Sequence, residues 1–158
     1  DIPLSRVLEV LQQVMDVATD NGVTFERIRL SDTMGWANPE QLKRTIAAIR
    51  EKHPGQEVYL HLHDTRGMGI ANIYAALEMG LANFDTSVGG MGGCPFAAHK
   101  AAAGNIATED VALLCQEMGI ETGVNLERII EAARLAEEII GHPLPGKVMR
   151  GGIPPRHH

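Results

Sequence analysis

The chain has 158 residues, of which 44% are hydrophobic and 22% are charged, a composition typical of a folded globular domain and not of a disordered segment. Its formal net charge is −6, from 14 basic and 20 acidic residues, and no cluster of Lys and Arg is present, so we expect no nucleic-acid partner. No run of about 18 apolar residues and no signal-peptide pattern occurs, and the only cysteines are Cys94 and Cys115. We therefore expect no membrane partner and a reduced, cytoplasmic location.

Hydrophobic periodicity and turn residues predict helices that alternate with short strands, an order typical of βα units in a parallel sheet. In chain order, the predicted elements are a helix from near Leu4 to Asn21-Gly22, a strand at Phe25–Leu30, a helix that begins at Asn38-Pro39 and stops by Pro54-Gly55, a strand at Val58–Leu62, a helix from Ile70 to Gly80, a strand at Asn83–Val88, and helices at Thr108–Met118 and Leu126–Ile140.

Three such units form an α/β sheet with crossover helices but cannot close a (β/α)8 barrel, which needs eight units and about 250 residues. The chain is therefore expected to be part of something larger. We take residues 1–141 as a partial domain and residues 142–158 as a mobile, Pro/Gly-rich tail. Its last residues, Arg156-His157-His158, are either native or left from a purification tag.

A repeated sequence relates the first two units. Leu30-Ser31-Asp32-Thr33-Met34-Gly35 and Leu62-His63-Asp64-Thr65-Arg66-Gly67 share Asp-Thr-x-Gly, 32 residues apart, and each copy lies between an aliphatic run and a helical pattern. This spacing agrees with consecutive βα units. Asp85-Thr86 begins a third copy, which then departs into glycine.

His61 and His63, at the end of the second strand, indicate a metal site. Side chains alternate faces along a strand, so the two imidazoles share a face, with Asp64 next in the chain. Imidazole and oxygen ligands suit Mn, Fe, Co or Zn better than Ca. The alternative is that both are ordinary strand-end histidines with hydrogen-bond partners, and the repeat favours the metal site over it.

A glycine-rich loop, Gly89-Gly90-Met91-Gly92-Gly93-Cys94-Pro95, follows the third strand. It matches neither the dinucleotide fingerprint nor the P-loop, so we interpret it as a hinge that lets the Cys94 thiol move toward a site at the strand ends. The alternative is that Cys94 is a small buried side chain, as free cysteines usually are. Cys115, which follows two leucines in a helix, fits that description better.

Three segments together resemble 3-hydroxy-3-methylglutaryl-CoA lyase: Ser87–Ala97 with its Gly-Gly-Cys-Pro element, Gly104–Asp110 and Gly119–Leu126. That family belongs to the metal-dependent carboligases and lyases built on a (β/α)8 TIM barrel. The resemblance extends from the first helix through Leu126, and Gly-Gly-Cys-Pro is its specific element. It implies that the chain is the C-terminal half of such a barrel.

The resemblance also implies the parts of a catalytic site. His61, His63 and Asn105 match metal ligands of the family, whose usual ion is Mg²⁺ or Mn²⁺. Cys94 matches the catalytic cysteine of a mobile loop, and Asp32 matches an active-site aspartate. In such a site His61 or Asp32 could relay the proton of a substrate hydroxyl, and Cys94 is suited to protonate an enolate carbon.

The implied activity is that of a metal-dependent carbon–carbon lyase, with an acyl-CoA as its substrate partner. It would cleave a 3-hydroxyacyl-CoA, such as 3-hydroxy-3-methylglutaryl-CoA, to acetyl-CoA and a keto acid. Related isopropylmalate, homocitrate and citramalate synthases share the His-x-His strand but typically carry Gly-Glu-Arg where this chain has Gly-Cys-Pro. A Claisen-type acyl-CoA carboligase is therefore the alternative.

Two departures from the family pattern bear on activity. The Arg-Asp pair of the family's first strand is absent from these residues, and Ala98–Ala103, with its His99-Lys100, is longer than the family's usual link. The chain alone is therefore expected to be inactive. A second hypothesis is that it is a catalytically silent half-barrel, which associates through its open sheet edges as a homo-oligomer or with another chain.

Overall fold

The computed structural model of the chain describes residues 2–93 and 104–155, in which three parallel strands form one sheet in the order β1-β2-β3. The helices are α1 (Leu4–Asp20), α2 (Pro39–Lys52), α3 (Gly69–Glu78), α4 (Thr108–Glu117), α5 (Leu126–Ile140) and α6 (Val148–Gly151); the strands are β1 (Arg27–Asp32), β2 (Glu57–Leu62) and β3 (Phe84–Asp85); a 3₁₀ turn covers Val88–Gly90. The α/β order with three parallel strands confirms the prediction.

The two faces of the sheet differ in chemistry. Along β2 the side chains of Val58, Leu60 and Leu62 are buried, whereas those of Glu57, Tyr59 and His61 are half-buried on the other face. The buried face packs under the helices in a core that includes Ile46 and Ile49 of α2 and Ile73 of α3. This alternation places His61 away from the apolar core.

The uncovered face of the sheet, opposite the core, is ionic. Arg27 Nε lies 2.7 Å from Glu57 Oε2, and Asn83 donates a hydrogen bond to the same carboxylate. Further along the strands, Arg29 Nη1 and His61 Nδ1 lie 3.8 and 3.3 Å from Asp85 Oδ2. A row of paired charges therefore crosses all three strands where the sequence pattern showed only alternation.

Helix α1 presents exposed apolar side chains. Val10, Val14 and Val17 of α1 are 42–62% exposed. Together with Val23 and Phe25 they line an open groove of about 440 Å³. The described part of the chain thus carries an exposed apolar groove, and β1 is an edge strand of its sheet.

A second core forms between α4, α5 and the C-terminal segment. Leu144, Val148 and Met149 are buried there, and the Asp110 carboxylate accepts hydrogen bonds from the backbone N–H groups of Lys147 and Val148. The segment expected to be a mobile tail from His142 is therefore packed as far as Gly151. Its few apolar residues fill a gap between helices, which its Pro and Gly content does not reveal.

Two predicted boundaries differ from the structure. β1 begins at Arg27 and continues to Asp32, because its ladder partners Glu57–Leu62 extend that far. The third strand is only two residues long, Phe84–Asp85, and Ser87 instead makes an isolated bridge with Ala107.

Among the helices of residues 2–93 and 104–155, none is both long and apolar enough to span a bilayer.

Candidate functional site

The two strand-end histidines lie side by side at the carboxyl end of β2, as the shared face predicts. The ring centroids of His61 and His63 are 5.2 Å apart, with the rings inclined at 70°. In the register of the sheet, Ser31 of β1 and Asp85 of β3 flank His61 on its two sides. The C-terminal edge of the sheet therefore collects imidazole, hydroxyl and carboxylate groups in one row.

His63 is fixed by its neighbour in the chain's first βα unit. The ring is 8% exposed, and its Nδ1 lies 2.8 Å from the carbonyl oxygen of Thr33. A carbonyl can only accept, so Nδ1 carries a proton, and in the neutral ring Nε2 keeps its lone pair. This is the arrangement by which proteins orient a metal-binding imidazole.

Asn105 lies next to His63, although the two residues are far apart in sequence. Their backbones form an isolated antiparallel bridge. The Asn105 side chain donates from Nδ2 to the carbonyl of Met91 over 3.1 Å, while its Oδ1 is buried without a hydrogen-bond partner. A buried acceptor without a donor is costly, and a cation would satisfy it. The residues present therefore fit a divalent metal ion.

The three side chains do not make a complete metal site by themselves. Two imidazoles and one amide leave several positions of a six-coordinate ion open, which Mg²⁺ or Mn²⁺ fills with oxygen ligands. In the part of the chain that the structure describes, no group of three or more His, Cys, Asp or Glu side chains is arranged to hold a metal. Further oxygen ligands would come from substrate, water or residues outside this chain.

Asp85 is a site residue that the sequence did not single out. Its Oδ2 lies 3.3 Å from Nδ1 of His61, close enough for an ion pair, although His61 Nδ1 makes no hydrogen bond with regular geometry. The incomplete third copy of Asp-Thr, at Asp85-Thr86, was the signal that could have identified it.

The repeated aspartates have a shared structural role. Asp32 accepts from the backbone N–H of Trp36 through Oδ1 and of Ala37 through Oδ2, over 3.0 and 2.9 Å. Asp64 accepts from the N–H of Gly69 over 2.7 Å. Each carboxylate thus closes the turn between its strand and the next helix. Each oxygen of Asp32 accepts one of these hydrogen bonds and keeps a further lone pair.

Cys94, the predicted catalytic thiol, lies outside the described residues. The first residues of its glycine-rich loop, Gly89 and Gly90, are described. Gly89 and Gly90 are buried. The Gly89 N–H donates to Glu109 Oε2 over 3.0 Å, and the Gly89 carbonyl accepts from Gly146 over 3.1 Å. The first two glycines of the predicted hinge are therefore held in place from both sides.

Cys115 matches the interpretation as a buried filler. Its side chain is 3% exposed within the main core, and its thiol is free. Burial raises the pKa of the Cys115 thiol, which disfavours the reactive thiolate.

Comparison with known proteins gives consistent matches. The HMGL-like family model matches residues 1–136. The chain is 38% identical over 147 residues to the hydroxymethylglutaryl-CoA lyase YngG of Bacillus subtilis, covering 93% of this chain and 46% of that protein. It is also 38% identical to the (R)-citramalyl-CoA lyase of Chloroflexus aurantiacus, covering 93% of this chain and 44% of that protein.

A solved structure agrees in fold as well as in sequence. The HMG-CoA lyase of Acinetobacter baumannii, determined in complex with coenzyme A and 3-methylmalate, superposes with a TM-score of 0.79 and 38% identity. The match covers 94% of this chain and 47% of that one. The chain thus spans less than half the length of the relatives it matches.

Proposed function

Since the chain belongs to the HMGL-like family, we propose that it is the C-terminal portion of a (β/α)8 barrel enzyme that breaks a carbon–carbon bond in an acyl-CoA. Two features support this proposal. The chain consists of parallel βα units, and its polar cluster lies at the carboxyl ends of the strands, where barrels of this type carry their chemistry. We predicted from the sequence that the partial domain covers residues 1–141. Because residues 144–149 pack in the second core, we now extend the domain to Gly151.

The buried, unpartnered Oδ1 of Asn105 beside His63 carries the proposal of a metal site. In it, His61, His63 and Asn105 hold Mg²⁺ or Mn²⁺, and the rest of the barrel completes the ligand set. When bound, such an ion polarises the hydroxyl and carboxylate oxygens of a 3-hydroxy acid. The proposal covers either ion, Mg²⁺ or Mn²⁺.

The chain's own groups supply the proton transfers. Asp32 accepts the proton of the substrate hydroxyl, while His61, whose Nδ1 lies 3.3 Å from Asp85 Oδ2, serves as a metal ligand. As the hydroxyl becomes a carbonyl, the adjacent carbon–carbon bond breaks, and its electron pair remains with the acetyl-CoA enolate. The Cys94 thiol then gives its proton to the enolate carbon, and a keto acid is the second product. Asp32 also holds the adjoining turn through hydrogen bonds from the N–H groups of Trp36 and Ala37.

The substrate class is a 3-hydroxyacyl-CoA, and 3-hydroxy-3-methylglutaryl-CoA is the first compound to test. Both relatives are named as lyases of a CoA thioester, which favours cleavage over the Claisen-type condensation of the synthases. In an assay with Mn²⁺, the complete protein should release acetyl-CoA from this substrate. If the complete protein cleaves neither 3-hydroxy-3-methylglutaryl-CoA nor citramalyl-CoA in the presence of metal, the proposal is wrong.

The two cysteines provide a matched pair for testing the thiol. We expect an alkylating reagent to label Cys94 before Cys115, because the Cys115 side chain is buried and burial raises the pKa of its thiol. Activity should fall in step with Cys94 labelling, measured by mass spectrometry, and Cys115→Ala should remain active. Preferential labelling of Cys115, or full activity in Cys94→Ala, would exclude the assigned role.

We also propose that the chain, prepared alone, associates as a homo-oligomer and has no lyase turnover. The open β1 edge and the exposed valines of α1 support association. We expect no turnover because His61, His63 and Asn105 do not complete the metal's ligand set. We also propose a cytoplasmic location. Sedimentation velocity at micromolar concentration checks the first point: a stable monomer contradicts it.

A further inference from the structure

The loop between β1 and α2, residues 33–38, is tied to the second βα unit through three of its carbonyl groups. Thr33 accepts from His63 Nδ1 at 2.8 Å. Met34 accepts from Arg66 Nη1 at 2.9 Å, and Ala37 accepts from Asn72 Nδ2 at 3.1 Å. The position of the loop, and with it the Thr33 carbonyl that orients His63, is therefore set by side chains of the neighbouring unit.

Gly35 allows the loop to approach that unit closely. It has a φ of +60°, and a Cβ atom on it would lie 2.9 Å from both Cβ and Oγ1 of Thr65 and 3.2 Å from the His63 carbonyl. Contacts this short leave no room for any side chain. The loop is thus fixed against the segment that carries His63 by packing as well as by hydrogen bonds.

Asn72 is the buried member of the three ties. Its side chain, on α3, is 1% exposed, and its Oδ1 is buried without a hydrogen-bond partner. An unsatisfied buried acceptor is costly, and an apolar side chain of similar size would avoid that cost. Among the described residues, the side-chain hydrogen bond that the amide makes runs from Nδ2 to the Ala37 carbonyl.

The Ala37 peptide connects Asn72 to the site. Its carbonyl accepts from Asn72, and its N–H donates to Asp32 Oδ2 over 2.9 Å. We propose that Asn72 is a positioning residue: by holding Ala37, it fixes the loop whose Thr33 carbonyl sets the orientation and the protonated nitrogen of His63. The inference rests on the proposed function, in which His63 binds the metal through Nε2.

Asn72→Leu and Ile73→Ala separate positioning from stability. The neighbouring Ile73 is also 1% exposed, and its apolar side chain belongs to the main core. In the complete protein we expect Asn72→Leu to lower Mn²⁺ affinity, measured by calorimetry, about tenfold, with little change in unfolding temperature. Ile73→Ala should lower the unfolding temperature clearly and leave Mn²⁺ affinity within about twofold.

A second measurement does not depend on metal. In ¹⁵N NMR spectra of the metal-free protein, His63 should be protonated at Nδ1, and Asn72→Leu should shift part of the population to the other tautomer. If Asn72→Leu has wild-type Mn²⁺ affinity and an unchanged His63 tautomer, the positioning role of Asn72 is wrong, while the proposed function still stands. An equal loss of affinity in Ile73→Ala also overturns it. Absence of Mn²⁺ binding in the unmodified protein is instead a failure of the proposed function.

Discussion

Replacing His63 with Ala in the complete protein should lower its affinity for Mn²⁺ by about tenfold or more. The buried ring is held through Nδ1 by the Thr33 carbonyl, so its Nε2 lone pair is committed to one direction. Loss of the ring removes a ligand and also leaves the Thr33 carbonyl without its donor. Replacing His61, whose ring centroid is 5.2 Å away, should have a similar effect on affinity.

Activity gives a second readout for the two histidines. Because His61 and His63 are both proposed metal ligands, activity in His61→Ala and in His63→Ala should fall together with Mn²⁺ affinity. His142→Ala is the control, because that histidine is exposed at the end of α5. Calorimetry that shows unchanged Mn²⁺ affinity in both His61→Ala and His63→Ala would remove the metal site.

Replacing Glu109 with Lys should lower the free energy of unfolding by about 3 kcal/mol or more. Glu109 is fully buried, with one oxygen bonded to the Gly89 N–H and the other without a partner. A Cβ atom on Gly146 would lie only 2.2 Å from that second oxygen, so the carboxyl group packs directly against the Gly146 backbone. An ammonium group there would be buried and unpaired.

Acid titration gives the second part of this prediction. Burial raises the pKa of Glu109, with Asp110 adding to the rise, against hydrogen bonds from the N–H groups of Glu109 and Gly89. Below its ordinary value of 4.5, both folded and unfolded states hold the proton and the residue contributes no pH dependence. As the pH rises above that value, the unfolded state ionises first, so stability falls until the folded-state pKa is passed. Glu109→Gln should remove this decrease.

Glu127→Lys is the matched control for Glu109→Lys. Glu127 also lies in the first turn of a helix, α5, but its side chain is exposed. The charge reversal there should cost no more than about 1 kcal/mol. Urea unfolding midpoints measure both variants, and equal midpoints would show that the acid at position 109 is not specially buried.

The alternation of side chains along β2 was sufficient to predict the geometry around His61 and His63. Both the shared face and the parallel order follow from local pattern, because each strand is buried on one face and crosses over through a helix. The bridge between His63 and Asn105 connects distant segments. No periodicity encodes such a contact, and for Asn105 only the family resemblance pointed to the site.

Long-range packing also explains what the sequence missed. Leu144, Val148 and Met149 look isolated among Pro and Gly, and only the gap between α4 and α5 makes them a core. Glu109 looks like an ordinary acidic residue in the first turn of a helix, and its burial depends on that same segment. The partial repeat at Asp85-Thr86 marked Asp85 in the sequence, but its place beside His61 follows from the register of β2 with β3.

The strength of the ion pairs on the uncovered face of the sheet should depend on salt concentration. Exposed pairs such as Arg27–Glu57 contribute about 0–1 kcal/mol in water, and charges separated by more than about 8 Å are screened at physiological ionic strength. In the proposed complete barrel this face is enclosed, and lowering the effective dielectric constant from about 80 to about 20 strengthens each Coulomb interaction about fourfold. Added salt therefore acts on the separate chain and on the closed barrel to different extents.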